Sequence, residues 1–314
     1  MIFNSITWNP NEILADLGFI QIRYYSLMFV IAFSLGWYLM KQIFVNENKS
    51  LDKLDSLFIY VVLATLIGAR LGHVIFYQPE LFKEDFLQVF LPIRTRPEFE
   101  FTGFSGLASH GAAIGILIAV YLYIRKFKDI KLLWLLDRIV LPISIGGVFV
   151  RLGNFFNSEI LGKVTEKSFP FAVRFIRGEE NLTKNVAIRR TGAKTYNEAY
   201  NLIESDPKFS QILDTIPFRH PAQLYEAVGY IIVFIILWFL YWKTDKKNQP
   251  GYIFGVFLVL LWTVRFLVEF VKQSQGGLES AFNNVLSTGQ LLSIPFIIAG
   301  FYLMFRKASS TKAS

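Results

Sequence analysis

The sequence predicts an all-α polytopic membrane protein with about seven transmembrane helices. Apolar residues make up 53% of the 314 residues, and the mean hydropathy is +0.41. Charged residues contribute only 18%, whereas soluble domains contain roughly 25%. Seven apolar runs approach the roughly 20 residues that a helix needs to cross a bilayer.

The seven predicted spans follow one another along the chain. The fourth contains proline and glycine in LPISIGGVFVRLG (residues 141–153), so we expect its helix to be short or broken. The spans run from about Tyr24 to Val45, Leu57 to Tyr77, Phe104 to Ile124, Leu132 to Phe155, Leu224 to Trp242, Tyr252 to Val271 and Thr288 to Phe305.

Basic residues are concentrated in the loops that follow the odd-numbered spans. Because cytoplasmic loops of membrane proteins are enriched in lysine and arginine, we expect an extracytoplasmic N-terminus and a cytoplasmic C-terminus. The basic residues on the predicted cytoplasmic side are Lys41, Lys49, Lys53, Arg125, Lys126, Lys128, Lys131, Lys243, Lys246, Lys247, Arg306, Lys307 and Lys312, against Arg23, Lys83, Arg94, Arg96 and Lys272 opposite.

A long polar segment, residues 163–219, separates the fourth and fifth spans. Loops of this length usually have structure of their own. We therefore expect a small extracytoplasmic insert with a helix near Tyr196 to Glu204. The insert would belong to a single membrane-embedded domain of residues 1–314.

Several chemistries lack the residues they need. The chain has no cysteine, which excludes disulfides, thiolate metal sites and enzyme thioesters. It contains no phosphate-binding P-loop and no HExxH motif, and three scattered histidines make a metal site unexpected. We therefore expect neither a metal nor a cofactor. The net charge of +8 is attributed to cytoplasmic loops and not to nucleic-acid binding.

Polar residues cluster near the outer ends of the predicted helices, while the inner halves carry few. Burying such groups in lipid costs free energy unless they are paired or perform a function. Since several helices bring them to one leaflet, we expect them to face one another in a cationic site. Arginine presents a planar fork that suits phosphate. The set includes Tyr25, Arg70, His110, Arg151, Asn154, Glu159, Glu226, Arg265 and Glu269.

Structural alternatives stay open for several polar residues. Arg265 and Glu269 are four residues apart, so they share a helical face and could form a simple ion pair. Arg70 could extend to the outer interface. His110, flanked by small residues in a membrane helix, favours a functional role. Other polar residues, among them His73, Asp137 and Arg138, are interpreted as packing groups or interfacial anchors.

The stretch Arg151–Thr165, RLGNFFNSEILGKVT, resembles the signature of bacterial prolipoprotein diacylglyceryl transferases. RYYSLMF, SGLASHGAAIG, RHPAQLYEA, RFLVEF and TGQLLSIP resemble other blocks of that family in the same order. The resemblance extends from about Tyr24 to Phe305. Four features depart from the family pattern: its FHGG is SHGA here, and its NGE is NSE, with Ser158 at the centre. A tyrosine that the family often has in the sixth span is Leu261, and its R-x-P-D after the EF block is Lys272-Gln273-Ser274-Gln275.

The resemblance implies an enzyme of the bacterial cytoplasmic (inner) membrane. Members of the family transfer the sn-1,2-diacylglyceryl group of phosphatidylglycerol to the lipobox cysteine of a preprolipoprotein signal peptide. The products are a thioether and glycerol phosphate, in the first step of lipoprotein maturation. Because the substrate supplies the thiol nucleophile, an enzyme without cysteine is sufficient.

The resemblance also implies roles for individual residues. His110 is the side chain best suited to accept the thiol proton, and Glu159 and Tyr25 are alternative bases. Arg151 and Arg265 would bind the phosphate and stabilise the charge of the leaving group. The implied catalytic set is His110, Arg151, Arg265, Glu159 and Tyr25, and the implied phosphatidylglycerol-binding set is Arg151, Asn154, Gly162, Arg70, Arg265 and Glu269.

Two other functions compete with this interpretation. A transporter or flippase for an anionic lipid would also need a cavity lined by arginine, but the polar residues stop at one leaflet. A lipid-headgroup phosphatase would need a second histidine placed to form a phosphoenzyme, and no second histidine is placed convincingly.

Overall fold

The structure is a computed structural model in which helices dominate. The described residues are 5–18, 21–91, 93–95, 98–101, 106–274 and 286–306. Its strands and helices, in chain order, are β1 (Ile6–Trp8), β2 (Ile13–Asp16), β3 (Gln21–Arg23), α1 (Tyr24–Asn46), α2 (Leu51–Tyr77), α3 (Leu81–Glu84), α4 (Phe86–Phe90), β4 (Ile93–Arg94), β5 (Glu100–Phe101), α5 (Ser109–Lys126), α6 (Leu132–Phe156), β6 (Val173–Phe175), α7 (Lys184–Thr191), α8 (Tyr196–Ser205), α9 (Ser210–Thr215), β7 (Phe218–Arg219), α10 (Ala222–Lys243), α11 (Tyr252–Val268) and α12 (Thr288–Phe305).

A helix occupies the place of each predicted span. Among the described residues, α1, α2, α6, α10 and α12 are long and apolar enough to cross a membrane, and α11 is apolar but has only 17 residues. The helical membrane fold is therefore confirmed, while the count of seven spans stays a prediction. Phe104, the predicted start of the third span, lies outside the described residues, as do Arg96, Lys307 and Lys312.

The prediction of a broken fourth span is wrong. Helix α6 is continuous and contains Pro142. Proline removes one backbone N–H from a helix, but a full break in lipid would leave further backbone groups unpaired, so an unbroken helix is favoured. Gly147 lies at a packing contact, since a Cβ there would be 3.0 Å from the ring of Tyr230. This glycine allows α10 to approach α6 closely.

The chain divides into two compact units. Unit 1 comprises Met1–Leu39 and Leu136–Ser314, and unit 2 comprises Met40–Leu135. In unit 2, α2 and α5 pack through facing glycines. A Cβ on Gly111 would clash with the carbonyl oxygen of Gly68 and lie 2.7 Å from the Cα of Gly72. Backbone therefore touches backbone at this crossing, as is common for small residues in membrane helices.

Asp137 links α6 to α11 within unit 1. Its side chain is fully buried and accepts hydrogen bonds from the backbone N–H groups of Gly251 at 2.7 Å and Phe254 at 2.8 Å. The first N–H groups of a helix have no hydrogen-bond partner within the helix. Gly251, at the N-cap of α11, has no side chain that could accept hydrogen bonds from them. Arg138 is also buried and donates to the carbonyl of Lys247 at 3.0 Å. The interpretation of Asp137 and Arg138 as interfacial anchors is therefore wrong.

The polar segment between α6 and α10 has a hydrophobic core of its own. The predicted helix near Tyr196 to Glu204 is confirmed as α8. Strand β6 lies between β1, to which it is parallel, and β7, to which it is antiparallel. The hydroxyl of Tyr200 donates to the carbonyl of Leu182 at 2.8 Å inside this core. The buried core residues are Ile176, Leu182, Ala187, Ala199, Tyr200, Ile203, Phe209 and Ile216.

Candidate active site

Arg151 lies in the last turns of α6, in unit 1, with 12% of its side chain exposed. Its Nε forms an ion pair with the carboxylate of Glu226, which is 2% exposed. Its Nη1 donates to Oδ1 of Asn154 at 3.2 Å. Tyr230 forms a further side-chain hydrogen bond with the guanidinium. The largely buried cation is therefore paired with one carboxylate and oriented by two neutral partners.

The contacts continue from Arg151 to Glu159. Nδ2 of Asn154 donates to Oε2 of Glu159 at 3.3 Å, and Nδ2 of Asn157 donates to Oε1 at 3.1 Å. The hydroxyl of Tyr25 is hydrogen-bonded to Asn154. We call Tyr25, Arg151, Asn154, Glu159 and Glu226 the Arg151 network. The structure thus brings five of the residues that were predicted to cluster into one connected set.

Glu159 lies in the turn that follows α6. Its side chain has a solvent-exposed surface, but its carboxylate is closely surrounded by protein atoms. This partial burial raises the pKa of Glu159 above its ordinary value, against the opposing effect of the hydrogen bonds from Asn157 and Asn154. A carboxylate with a raised pKa titrates closer to neutral pH, as a general base requires. Gln223 holds the same turn by donating to the backbone carbonyl of Glu159.

The residues on either side of Glu159 have left-handed backbone conformations. Ser158 has φ of 54° and Ile160 has φ of 56°. Non-glycine residues in this region cost about 1–3 kcal/mol each when the surrounding structure imposes them. The Oγ of Ser158 is also buried without a hydrogen-bond partner among the described residues. The turn that carries Glu159 is therefore held in a strained conformation.

We expect Ser158→Gly to raise the free energy of unfolding by about 1 kcal/mol, because glycine adopts a positive φ without steric cost. Thermal unfolding of the detergent-solubilised protein measures the gain as a higher Tm. Ser158→Ala is the matched control, since it removes the hydroxyl but keeps the Cβ. An equal gain in both variants would assign the cost to the unpaired hydroxyl and contradict the backbone explanation.

Three residues of α10 belong to the site although the sequence interpretation assigns none of them an individual role, and Glu226 is predicted there only as a member of the polar cluster. Gln223, Glu226 and Tyr230 are all buried and contact the turn of Glu159 or the guanidinium of Arg151. Their spacing places them on one face of the helix. The prediction for Glu226 rests on a glutamate in the first turns of an otherwise apolar membrane helix, and Gln223 provides the same kind of signal.

Arg265 lies on α11, also in unit 1. Its Nε is buried and has no hydrogen-bond partner within the described ranges, and its guanidinium lies 5.2 Å from the ring centroid of Trp262. Tyr230 interacts electrostatically with both Arg265 and Arg151. Both cations therefore act on the surroundings of the same tyrosine.

Glu269 does not join the Arg151 network. Its carboxylate accepts hydrogen bonds from Nζ of Lys272 at 3.0 Å and from Oγ of Ser287 at 3.0 Å. Glu269 is therefore paired with Lys272 and not with Arg265, because α11 ends at Val268 and the chain turns there. The carboxylate lies at the N-terminus of α12, where a negative charge is favourable.

Gly162 makes backbone contacts and lies apart from the network. Its N–H donates to the carbonyl of His220 at 3.1 Å, and its carbonyl accepts from Nη1 of Arg219 at 3.1 Å. A Cβ at this position would clash with the backbone of His220. Glycine is thus required here by a close approach of two chain segments, and its role in lipid binding stays a prediction.

Unit 2 contains the other two predicted site residues. Arg70 is 8% exposed and donates to the backbone carbonyls of Gln88 at 2.7 Å and Gly106 at 3.4 Å. The exposed His110, at the start of α5, borders an open surface depression of about 310 Å³ together with His73 and other residues. Arg70 is fixed by the backbone of its own unit, and the interpretation of His73 as a packing or interfacial group stays a prediction. The complete lining is His73, Tyr77, Leu107, Ala108, Ser109 and His110.

Comparison with known proteins assigns the chain to a family. Residues 12–306 match the family model described as prolipoprotein diacylglyceryl transferase. The chain belongs to this family. Members similar to it, each named phosphatidylglycerol–prolipoprotein diacylglyceryl transferase, come from Tolumonas auensis, Bacteroides fragilis and Chloroherpeton thalassium.

The similarity to these family members extends over nearly the whole chain. The Tolumonas auensis protein is 36% identical over 301 residues, covering 96% of this chain and 97% of the relative. The Bacteroides fragilis protein is 37% identical over 303 residues, covering 96% and 95%. The Chloroherpeton thalassium protein is 36% identical over 307 residues, covering 98% and 96%. The resemblance found in the sequence motifs is therefore confirmed.

Proposed function

We propose that the Arg151 network binds the phosphate of phosphatidylglycerol while its diacylglyceryl group is transferred to the lipobox cysteine of a prolipoprotein signal peptide. The protein is a transferase of lipoprotein maturation, as its family membership establishes. The observation that supports the role of the network is the largely buried guanidinium of Arg151, oriented by Glu226 and Asn154. A buried cation of this kind in an apolar chain favours an anionic ligand.

The proposed reaction is a substitution at carbon. The cysteine sulfur attacks the glycerol carbon that carries the phosphate, and a carbon–sulfur bond forms. The carbon–oxygen bond to the phosphate breaks, and glycerol phosphate leaves with the electron pair. Arg151 and Arg265 stabilise the charge that develops on this leaving group, because guanidinium groups stay protonated and bind phosphate oxygens.

The thiol must lose its proton for this attack. His110 is the proposed base, because histidine changes protonation nearest to neutral pH. Glu159 and Tyr25 are the alternative bases, and the raised pKa of Glu159 supports its candidacy. We further propose that Asn154, Gly162, Arg70 and Glu269 contribute to phosphatidylglycerol binding, as the family resemblance implies.

The proposed location is the bacterial cytoplasmic (inner) membrane. The charge distribution of the loops supports an extracytoplasmic N-terminus and a cytoplasmic C-terminus. Residues 163–219 would then form an extracytoplasmic insert within a single catalytic domain of residues 1–314. No cofactor or metal is part of the proposal.

The test uses the purified protein, phosphatidylglycerol and a synthetic lipobox peptide, with the intact mass of the peptide as the readout. We expect a mass gain of one diacylglyceryl group on the cysteine peptide and none on a matched peptide with serine. Loss of activity in His110→Ala would support His110 as the base, whereas survival would move this role to Glu159 or Tyr25. No mass gain with folded, lipid-replete enzyme would contradict the proposed function.

A further inference from the structure

We infer that Glu226 is a positioning residue that fixes the guanidinium of Arg151 so that its outer end faces the phosphate. This inference rests on the proposed function. Glu226 is almost completely buried, at 2% exposure, and its carboxylate pairs with Nε of Arg151. An unpaired carboxylate buried in this environment would lower the free energy of unfolding, so the carboxylate of Glu226 needs a specific partner.

The hydrogen bonds of Arg151 determine which of its donors are free. A guanidinium has five N–H groups and can only donate. Nε pairs with the carboxylate of Glu226, and Nη1 donates to Oδ1 of Asn154. Tyr230 also interacts with this guanidinium. Among the contacts of the described residues, the donors left for a ligand therefore belong to the Nη nitrogens, which form an end of the guanidinium that can bind phosphate in a bidentate way.

Glu226 therefore selects one of the two binding edges of the guanidinium. A phosphate can approach arginine along the side that contains Nε or at the end that contains both Nη atoms. Since Glu226 occupies Nε, only the end is open to a ligand. Gln223, one turn earlier on α10, donates to the backbone carbonyl of Glu159 and fixes the neighbouring turn. One face of α10 thus supports both the cation and the turn that carries Glu159.

The experiment measures transfer kinetics with full-length enzyme in nanodiscs, varying the mole fraction of phosphatidylglycerol and the peptide concentration separately. We expect Glu226→Ala to lower kcat/KM for phosphatidylglycerol by about 10- to 100-fold, because a small misplacement of a positioned group has effects of that size. The KM for the peptide should not change. Glu226→Gln keeps an acceptor for Nε–H and should retain most of the activity.

Measuring the effect of Glu226→Ala in the Arg151→Lys enzyme distinguishes a positioning role of Glu226 from a purely structural one. Lysine has no planar fork to orient, so Glu226→Ala should add little to the loss already caused by Arg151→Lys. The exposed Glu84 provides the matched control, and Glu84→Gln should behave as wild type. If Glu226→Ala does not fold, Glu226→Asp replaces it, since the shorter side chain keeps the charge and displaces the guanidinium.

Two outcomes would overturn the inference. The first is an unchanged kcat/KM for phosphatidylglycerol in folded Glu226→Ala and Glu226→Asp. The second is a loss of kcat/KM for phosphatidylglycerol that is equal in Glu226→Gln and Glu226→Ala and is just as large when Arg151 is already replaced by lysine. A wild-type enzyme that transfers nothing from phosphatidylglycerol would instead contradict the proposed function, so the two failures are distinguishable.

Discussion

Replacing Arg151 with alanine is expected to lower kcat by about 100- to 1,000-fold, the usual effect of removing one donor that stabilises transition-state charge. The guanidinium is largely buried and directed by Glu226 and Asn154. No other side chain of the Arg151 network carries a positive charge. The measurement is the initial rate of diacylglyceryl transfer to a lipobox peptide at saturating phosphatidylglycerol.

Arg151→Ala also leaves the carboxylate of Glu226 buried without its partner, which destabilises a protein. The double variant Arg151→Ala/Glu226→Ala removes both charges and should recover the Tm while staying inactive. Arg151→Lys keeps the charge but loses the planar fork, so we expect an intermediate rate. A double variant with wild-type kcat would show that Arg151 is not part of the catalytic machinery.

Replacing Asp137 with alanine is expected to lower the free energy of unfolding by about 3 kcal/mol. The change leaves the N–H groups of Gly251 and Phe254 without their acceptor at the start of α11. It also removes a carboxylate that lies 3.8 Å from Nη1 of Arg138. The measurement is thermal unfolding in detergent, followed by tryptophan fluorescence.

Asp137→Asn serves as the control for this prediction. Asparagine keeps one acceptor oxygen but loses the charge, so its Tm should fall between those of the wild type and Asp137→Ala. The initial transfer rate of folded Asp137→Ala should match the wild type at low temperature, because Asp137 lies outside the Arg151 network. A Tm of Asp137→Ala equal to that of the wild type would contradict the capping role.

The sequence was sufficient to locate the helices and to predict that Arg151, Asn154 and Glu159 belong to one polar cluster. Long apolar runs have few alternatives to helices in lipid, and the cost of burying charge means that polar groups in different spans tend to meet. Helix boundaries were harder to predict. Helix α2 begins at Leu51, before the predicted Leu57, because its first turns are polar and Ser50 caps it.

Contacts between distant chain segments could not be predicted from the sequence. Both Glu226 and Asp137 are acidic residues near the end of an apolar run, and a single sequence does not tell which donors they meet. In the structure, Glu226 pairs with the side chain of Arg151, whereas Asp137 accepts hydrogen bonds from two backbone N–H groups. The positive φ of Ser158 was not predicted, because serine rarely adopts it; the glycine that the family pattern has at this position was the available signal.

The glycine crossing of α2 and α5 has a consequence for behaviour in the cold. Lipid tails are as apolar as side chains, so van der Waals contact between the backbones at Gly68 and Gly111 holds the helices together, without hydrophobic driving force. Hydrophobic stabilisation weakens on cooling, but this contact does not depend on it. The α2–α5 pair should therefore stay associated at temperatures at which water-soluble hydrophobic cores begin to loosen.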